Sequence, residues 1–177
     1  MKGNEKMIAN ERQNLIVNTL KKTDKPITGS EFAKITNVSR QVIVQDVSIL
    51  KAKNEPIIAT SQGYIYLNDE KEHQLERMVI VCNHTPDQAL DEMYAIVDHG
   101  VSIKDVIVEH QVYGDLTASI RVRTRKEVDD FIQKISETNA SYLSTLTNGI
   151  HLHTIESDSR DKLEAVCEEL RKAGILV

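Results

Sequence analysis

Three patterns predict an α+β chain in which an N-terminal winged helix-turn-helix precedes a ferredoxin-like α/β sandwich. Three short segments between residues 10 and 53 carry apolar side chains at helical spacing, and a β-hairpin pattern follows them directly. From residue 78 onward the segments read β-α-β-β-α-β and a final α. Two domains are therefore expected, residues 1–68 and 69–177, divided at the charged connector Asn68-Asp-Glu-Lys-Glu-His73.

The first helix is expected over Asn10 to Lys22, where Leu15, Ile16 and Leu20 form one apolar stripe, and Thr23-Asp-Lys-Pro ends it. Thr28-Gly-Ser-Glu31 fits a capping box opening a short helix from about Gly29 to Ile35. Thr36-Asn-Val-Ser39 is a tight connection, and Ser39 is a good N-cap for a third helix reaching about Lys53. On that helix Ile43, Val47 and Leu50 face inward, leaving Arg40, Gln41, Val44, Gln45, Ser48 and Lys51 outside. Long donor-bearing side chains at the start of a second helix suit a major-groove reader, because Arg and Gln bond base edges in pairs. Polar residues facing water are the bland alternative. The hairpin, Pro56 to Thr60 and Tyr64 to Leu67 around Ser61-Gln-Gly63, shifts the balance by completing a winged helix. Ser39, Arg40, Gln41, Gln45, Ser48, Lys51 and, in the wing turn, Gln62 are the candidate DNA contacts.

In the second half, Met78 to Cys82 is a short apolar strand and Thr85-Pro-Asp-Gln88 opens a helix that ends at His99-Gly100. Val101 to His110 and Tyr113 to Val122 read as two strands joined by a short turn. Arg125 to Glu137 is a helix, Ile150 to Ile155 a strand and Ser159 to Lys172 a last helix. In that last strand His151 and His153 point to the same face, about 6 to 7 Å apart at the backbone. His84 lies just past the first strand, and Glu92, eight positions on, leans back toward it because helical side chains tilt toward the N-terminus. Three imidazoles and a carboxylate suit zinc, nickel or ferrous iron and suit calcium or magnesium poorly. Cys82 shares a strand face with His84 and is either a further ligand or, the favoured role, a small core residue; the plain roles of the others are His73 as a solvated residue, His99 as a cap, and His151 with His153 as one polar strand face. Arg121, Arg123 and Arg125 alternate, offering either carboxylate donors on one strand face or a solvent-facing stripe.

Composition narrows the class of protein. The chain has 177 residues, 40% of them hydrophobic, which is enough for an ordinary core. The absence of a run of about 18 apolar residues and the polar start place it in the cytoplasm, away from membranes. Its two cysteines form neither a disulfide framework nor a CxxC knuckle. The net charge of -5 hides an asymmetry. Residues 1–68 hold ten Lys and Arg against six Asp and Glu, whereas residues 69–177 hold twelve against twenty-one. A basic domain that meets a polyanion, joined to an acidic one with another task, fits that division.

The stretch Ile27-Thr-Gly-Ser-Glu-Phe-Ala-Lys through Val38-Ser-Arg-Gln-Val-Ile-Val-Gln-Asp-Val-Ser-Ile-Leu-Lys resembles the winged helix-turn-helix of biotin-repressor type, which implies duplex DNA as partner. Cys82-Asn-His84 with Thr85-Pro and Glu92, Val108-Glu-His110 with Tyr113-Gly-Asp115, and His151-Leu-His-Thr154 together resemble the three-histidine domain of the bacterial niacin-responsive transcriptional repressors. That resemblance implies one divalent transition metal per chain at His84, Glu92, His151 and His153. It implies nicotinic acid as corepressor on genes of NAD biosynthesis and niacin salvage or uptake. His110 and Tyr113 are candidates for bonding or stacking on the nicotinate ring. A homodimer on a palindromic operator, paired through the acidic domain, is expected, and not an enzyme. The rival is a metal-dependent hydrolase with an accessory winged helix, against which stands the lack of a second carboxylate placed as general base. A winged helix used for protein contacts is a third possibility.

Overall fold

Helical spacing of Ile16, Val17 and Leu20 buries one face of α1 (Ala9–Lys21) against α2 (Gly29–Thr36) and α3 (Arg40–Ala52). The computed structural model describes residues 7–67 and 75–177, so His73 lies outside the described residues. The chain divides into two units, Met1–Asn68 and Asp69–Val177, each with its own core. In the first, Phe32, Ile43, Val47 and Leu50 join the α1 stripe, and full burial of each such side chain contributes about 1.5–3 kcal/mol. The Thr28–Glu31 capping box forms, with the Glu31 amide donating to Thr28 Oγ1 at 3.2 Å and the Thr28 amide to Glu31 Oε2 at 2.6 Å. Ser39 Oγ caps α3 by accepting from the Val42 amide.

The wing is β1 (Ile57–Thr60) paired antiparallel with β2 (Gly63–Tyr66). Ile27 extends it, exchanging both backbone hydrogen bonds with Tyr64 at 3.0 and 2.8 Å. Gly63 is needed at the turn. Its φ is +138°, and a Cβ there would stand 2.6 Å from the Ile27 carbonyl oxygen.

One polar cluster lies under this domain that sequence patterning did not assign. Asp46 sits one residue before Val47, and its burial follows from the same face of α3 that carries Ile43 and Leu50. Its carboxylate accepts from Arg12 Nε and Nη2 and from Gln13 Nε2, the last at 3.1 Å. Arg12 Nη1 also donates to the Met7 carbonyl at 2.7 Å, and Lys53 Nζ to Gln13 Oε1 at 3.2 Å. Two consecutive residues of α1 are thereby locked to α3.

In the second unit β3 (Glu76–Asn83), β4 (Ser102–His110), β5 (Gly114–Val122) and β6 (Ile150–Ser157) form one antiparallel sheet in the order β3-β6-β4-β5. β3 and β4 each run antiparallel to β6 and so parallel to each other, a split βαβ unit with the last strand in the gap. The element order is the one the sequence predicts. The strand order refines the ferredoxin-like reading, since β5 occupies the edge instead of the gap. α4 (Ala89–Asp98), α5 (Arg125–Thr138) and α6 (Arg160–Lys172) pack Met93, Ile96, Val128, Leu163 and Leu170 onto Ile80, Cys82, Ile103 and Ile155 of one sheet face. Val79, Val81 and Ile150 point to the other face and stay exposed.

Several local details differ from the sequence reading. Thr85 opens a 3₁₀ turn, Pro86–Gln88, that runs into α4, a common way to tighten a helix start. Residues 175–177 line the outer edge of β3, where the Asn83 amide donates to the Ile175 carbonyl at 2.9 Å and the Val177 amide to the Val81 carbonyl at 3.0 Å. The arginine alternation does not make one strand face. β5 ends at Val122, and Arg125 starts α5, where it pairs with Asp98 at 2.5 Å and lies 4.3 Å over the Tyr94 ring. Among the described residues no helix is long and apolar enough to cross a membrane.

Breaking the buried cluster strands a charge. Asp46→Ala is expected to cost about 3–5 kcal/mol, because Arg12 is left unpaired in the interior. Denaturant unfolding of the full chain measures it, and a loss below about 1 kcal/mol would contradict this account.

Candidate metal centre

The pairing register of β3 and β6 brings the histidines together. Cys82 stands opposite His151, and Ile80 opposite His153, so all four share the helix-covered face. His84 is the next residue with that parity, just beyond the end of β3. From above, Glu92 in the first turn of α4 reaches down among the rings. Its Oε2 is 2.8 Å from His84 Nε2, 3.4 Å from His151 Nε2 and 3.4 Å from His153 Nε2, and its Oε1 is 3.3 Å from His151 Nε2. The rings of His84 and His151 meet edge to face at 4.9 Å, and those of His151 and His153 at 4.8 Å. Three nitrogens on different bearings thus surround one carboxylate.

The far side of each ring fixes its proton. His84 Nδ1–H donates to the Thr85 carbonyl at 2.8 Å, His151 Nδ1–H to the Gly149 carbonyl at 2.8 Å, and His153 Nδ1–H to the Asp105 carbonyl at 2.7 Å. Carbonyls only accept, so Nδ1 carries a proton in all three. Every Nε2 is then either a bare lone pair or a second N–H. Three lone pairs facing a buried carboxylate repel it, so protons or a cation must occupy the space between. An ion with bonds of about 2.0–2.1 Å to nitrogen holds tetrahedral ligand atoms about 3.3 Å apart, close to the separations found here. Backbone carbonyls orienting ligand imidazoles are the usual outer support of such sites.

Electrostatics agree with that geometry. Burial alone would push His84 and His153 down. The Glu92 hydrogen bond and charge outweigh it and hold both rings above the ordinary imidazole value. Burial likewise pushes Glu92 up, but the charge of His153 and hydrogen bonds from all three rings keep it well below the usual carboxylate range. Glu92 Oε1 is buried and makes no well-aligned hydrogen bond, with His151 Nε2 3.3 Å away. Among the described residues, Cys82, Glu92 and His151 each offer a ligand atom, all within 4.8 Å of one another. Burial and the Glu92 charge push the Cys82 thiol strongly up.

Residues that sequence reasoning missed hold this arrangement. Gly149 has φ +101°, and a Cβ would stand 2.5 Å from the His84 carbonyl oxygen. Its own carbonyl accepts from both the His151 ring and, at 3.4 Å, the His84 amide. Asp105 follows an irregularity in β4 that turns its carbonyl onto His153, while its Oδ1 accepts from the Thr154 amide at 3.1 Å. A glycine next to two same-face histidines was the available signal for the first. The irregularity in β4 left none.

The other candidates lie elsewhere. His110 and Tyr113 pair with each other at the β4–β5 turn, ring centroids 5.0 Å apart, and His110 Nδ1 accepts from the Val112 and Tyr113 amides. Tyr113 is 74% exposed, and His110 borders a groove with Leu146, Ile150 and Leu152. Arg40, Gln41, Gln45, Ser48 and Lys51 form the exposed side of α3, while Gln62 lies in the wing turn, partly buried. Ser48 Oγ–H donates within the helix to the Val44 carbonyl at 2.9 Å.

Known proteins share both halves. The 3H domain family matches residues 77–177 and an HTH domain family matches residues 12–65. The transcription repressor NadR of Bacillus subtilis (strain 168) is 54% identical over 172 residues, covering 97% of this chain and 95% of that protein. The probable transcription repressor NiaR of Thermotoga maritima is 37% identical over 172 residues, covering 97% of each. With an HTH domain before a 3H domain and relatives aligned across almost its whole length, the chain belongs to the niacin-responsive transcription repressor family.

Proposed function

We propose that the chain is a DNA-binding repressor of NAD biosynthesis and niacin salvage or uptake genes, with nicotinic acid as corepressor and one transition metal held by His84, Glu92, His151 and His153. The observation that carries the metal reading is the convergence of three imidazoles, each fixed through Nδ1–H, on a buried carboxylate. Nickel, zinc or iron suits that donor set, and when bound supplies a Lewis-acidic position beside which a pyridine nitrogen or carboxylate can dock. His110 and Tyr113 are the aromatic pair assigned to nicotinate. Against a hydrolase, Glu92 is engaged by three rings and Asp105 Oδ1 by an amide, so neither is placed as a general base.

The DNA reading rests on α3. Its apolar face is spent on the core, and Arg40, Gln41 and Gln45 at its N-terminal half face solvent, where they reach base edges in the major groove. Ser39, Ser48 and Lys51 flank them as phosphate contacts, with Gln62 on the wing. Two copies in a homodimer would present two such helices to half-sites of a palindrome. The uncovered apolar sheet face at Val79, Val81 and Ile150 supports pairing through the acidic domain.

Mobility shift on the upstream DNA of its own gene tests the whole reading. Nicotinate is expected to tighten binding of the metal-loaded protein, and chelation to abolish that gain. No nicotinate response in loaded protein would refute the corepressor. Arg40→Ala and Gln45→Ala are each expected to weaken operator binding by about 1–3 kcal/mol, and unchanged affinity in both would remove DNA as the partner of α3.

Metal competition titrations test the centre itself. His151→Ala should lose affinity outright, and Gly149→Ala, which displaces the His84 loop and the carbonyl that orients His151 but removes no ligand, should weaken it about 10–100-fold. Affinity equal to the parent in Gly149→Ala would show that the loop does not set the site. Acidity supplies another check. His84 and His153 are held above their ordinary value of about 6.5. In metal-free protein their stabilisation is full below that pH and is lost as pH rises through the raised values; Glu92, lowered, contributes above about pH 4.5 and loses its share only as pH falls through its lowered value. An ion needs the neutral rings, so its affinity should rise with pH over the range in which metal-free stability falls. Melting curves of loaded and metal-free protein that move in parallel with pH would contradict both signs.

A further inference from the structure

The parity that aligns the histidines also places a sulfur among them. On β3 the same-face residues are Cys82 and His84; on β6 they are His151 and His153, with Cys82 directly opposite His151. Cys82 is fully buried, and its Sγ lies within 4.8 Å of the ligand atoms of Glu92 and His151. A second observation concerns the acceptor side. Glu92, 2% exposed, turns Oε2 to His84 and His153, while its buried Oε1 makes no well-aligned hydrogen bond although His151 Nε2 lies 3.3 Å away. A buried carboxylate oxygen whose polar neighbour is poorly aligned for hydrogen bonding is under-satisfied, at a cost of about 1–3 kcal/mol, and a cation seated against it would remove that cost. The other cysteine supplies a contrast. Cys167 on α6 is only partly buried, and its Sγ meets Met78 Sδ at 3.4 Å.

We propose that Cys82 is a further ligand of this centre, so that the bound ion sees three imidazoles, one carboxylate and one thiolate. The inference rests on the metal reading above and adds to it the residue that sets which ions are retained. As the ion enters, the Cys82 S–H bond releases its proton to solvent and Sγ forms the metal–sulfur bond. A metal–sulfur distance of about 2.3 Å and a metal–nitrogen distance of about 2.1 Å allow sulfur and nitrogen to lie up to about 4.4 Å apart on one ion. The ligand atoms of Cys82, Glu92 and His151 all lie within 4.8 Å of one another, at most a few tenths of an ångström beyond that span. β3 is held for it on both edges, by β6 and by residues 175–177. A soft thiolate added to imidazoles favours zinc, cobalt, nickel and ferrous iron and discriminates further against magnesium and calcium.

Cobalt(II) titrated into the full metal-free chain is the test, because its spectrum reports nitrogen and sulfur ligands separately. One equivalent should give visible ligand-field bands together with an intense near-ultraviolet sulfur-to-cobalt charge-transfer band. Cys82→Ser should keep the visible bands and lose the near-ultraviolet one, whereas Cys167→Ser should keep both. Visible bands at one equivalent without the charge-transfer band in the parent chain would overturn the Cys82 assignment while leaving the centre standing. Absence of any visible band would instead overturn the metal reading. If Cys82→Ser does not fold, cadmium NMR of the parent chain decides: a resonance in the sulfur-bound range supports the assignment, and one in the nitrogen and oxygen range refutes it.

Discussion

A carboxylate that is almost wholly buried and stays ionised is the constraint around which the second domain is arranged. Glu92 is shut off from bulk solvent, and the groups that face it include three imidazoles already committed through Nδ1 to backbone carbonyls. Charge of the opposite sign must therefore arrive at the Nε2 side, from protons or from an ion. Everything that fixes those rings follows from this need. β6 supplies two of them by alternation, β3 ends in time for the third, and α4 begins with a turn that aims Glu92 between them.

The precision of the arrangement comes from backbone more than from packing. Each carbonyl that receives an Nδ1 proton belongs to an irregular spot: the loop after β3, the left-handed Gly149, and the shifted register at Asp105 in β4. Regular strands have their carbonyls engaged in the ladder. Departures from the ladder are what free a carbonyl to orient a ligand. Gly149 carries the most, since its oxygen meets both the His151 ring and the His84 amide and its missing side chain lets the two segments touch.

That division explains what was legible in the sequence. Alternation and capping chemistry gave the element order, placed His151 beside His153, and set Glu92 within reach of His84, because these depend on local periodicity alone. The strand order was not readable, since hydrophobic pattern says which face is buried and not which neighbour a strand takes. Asp46 was hidden for a related reason. Polar residues are counted to the solvent side by default, yet the helix geometry that buries Ile43, Val47 and Leu50 carries position 46 inward, and the Arg12 and Gln13 partners on another helix make that tolerable. Alternation alone puts Cys82 on the strand face of His84, as a core residue or a ligand; its place opposite His151 emerges only once the β3–β6 register is known.

Metal and effector have different energetic tasks in the proposed repressor. Removing a cation from between a buried carboxylate and three rings leaves the site with an unbalanced charge or forces it to take up protons, so the ion belongs with the folded framework. A corepressor needs far less: a coupling of about 1–3 kcal/mol between its own site and DNA binding changes operator affinity by about 5–150-fold. Such coupling requires that the effector bind one arrangement of the protein more tightly than another. A rigid, carbonyl-braced metal cluster is a poor element to rearrange but a good fixed post against which a small ligand docks. Differential contact would then come from the exposed side, where the His110–Tyr113 pair stands at a strand turn instead of within the braced set.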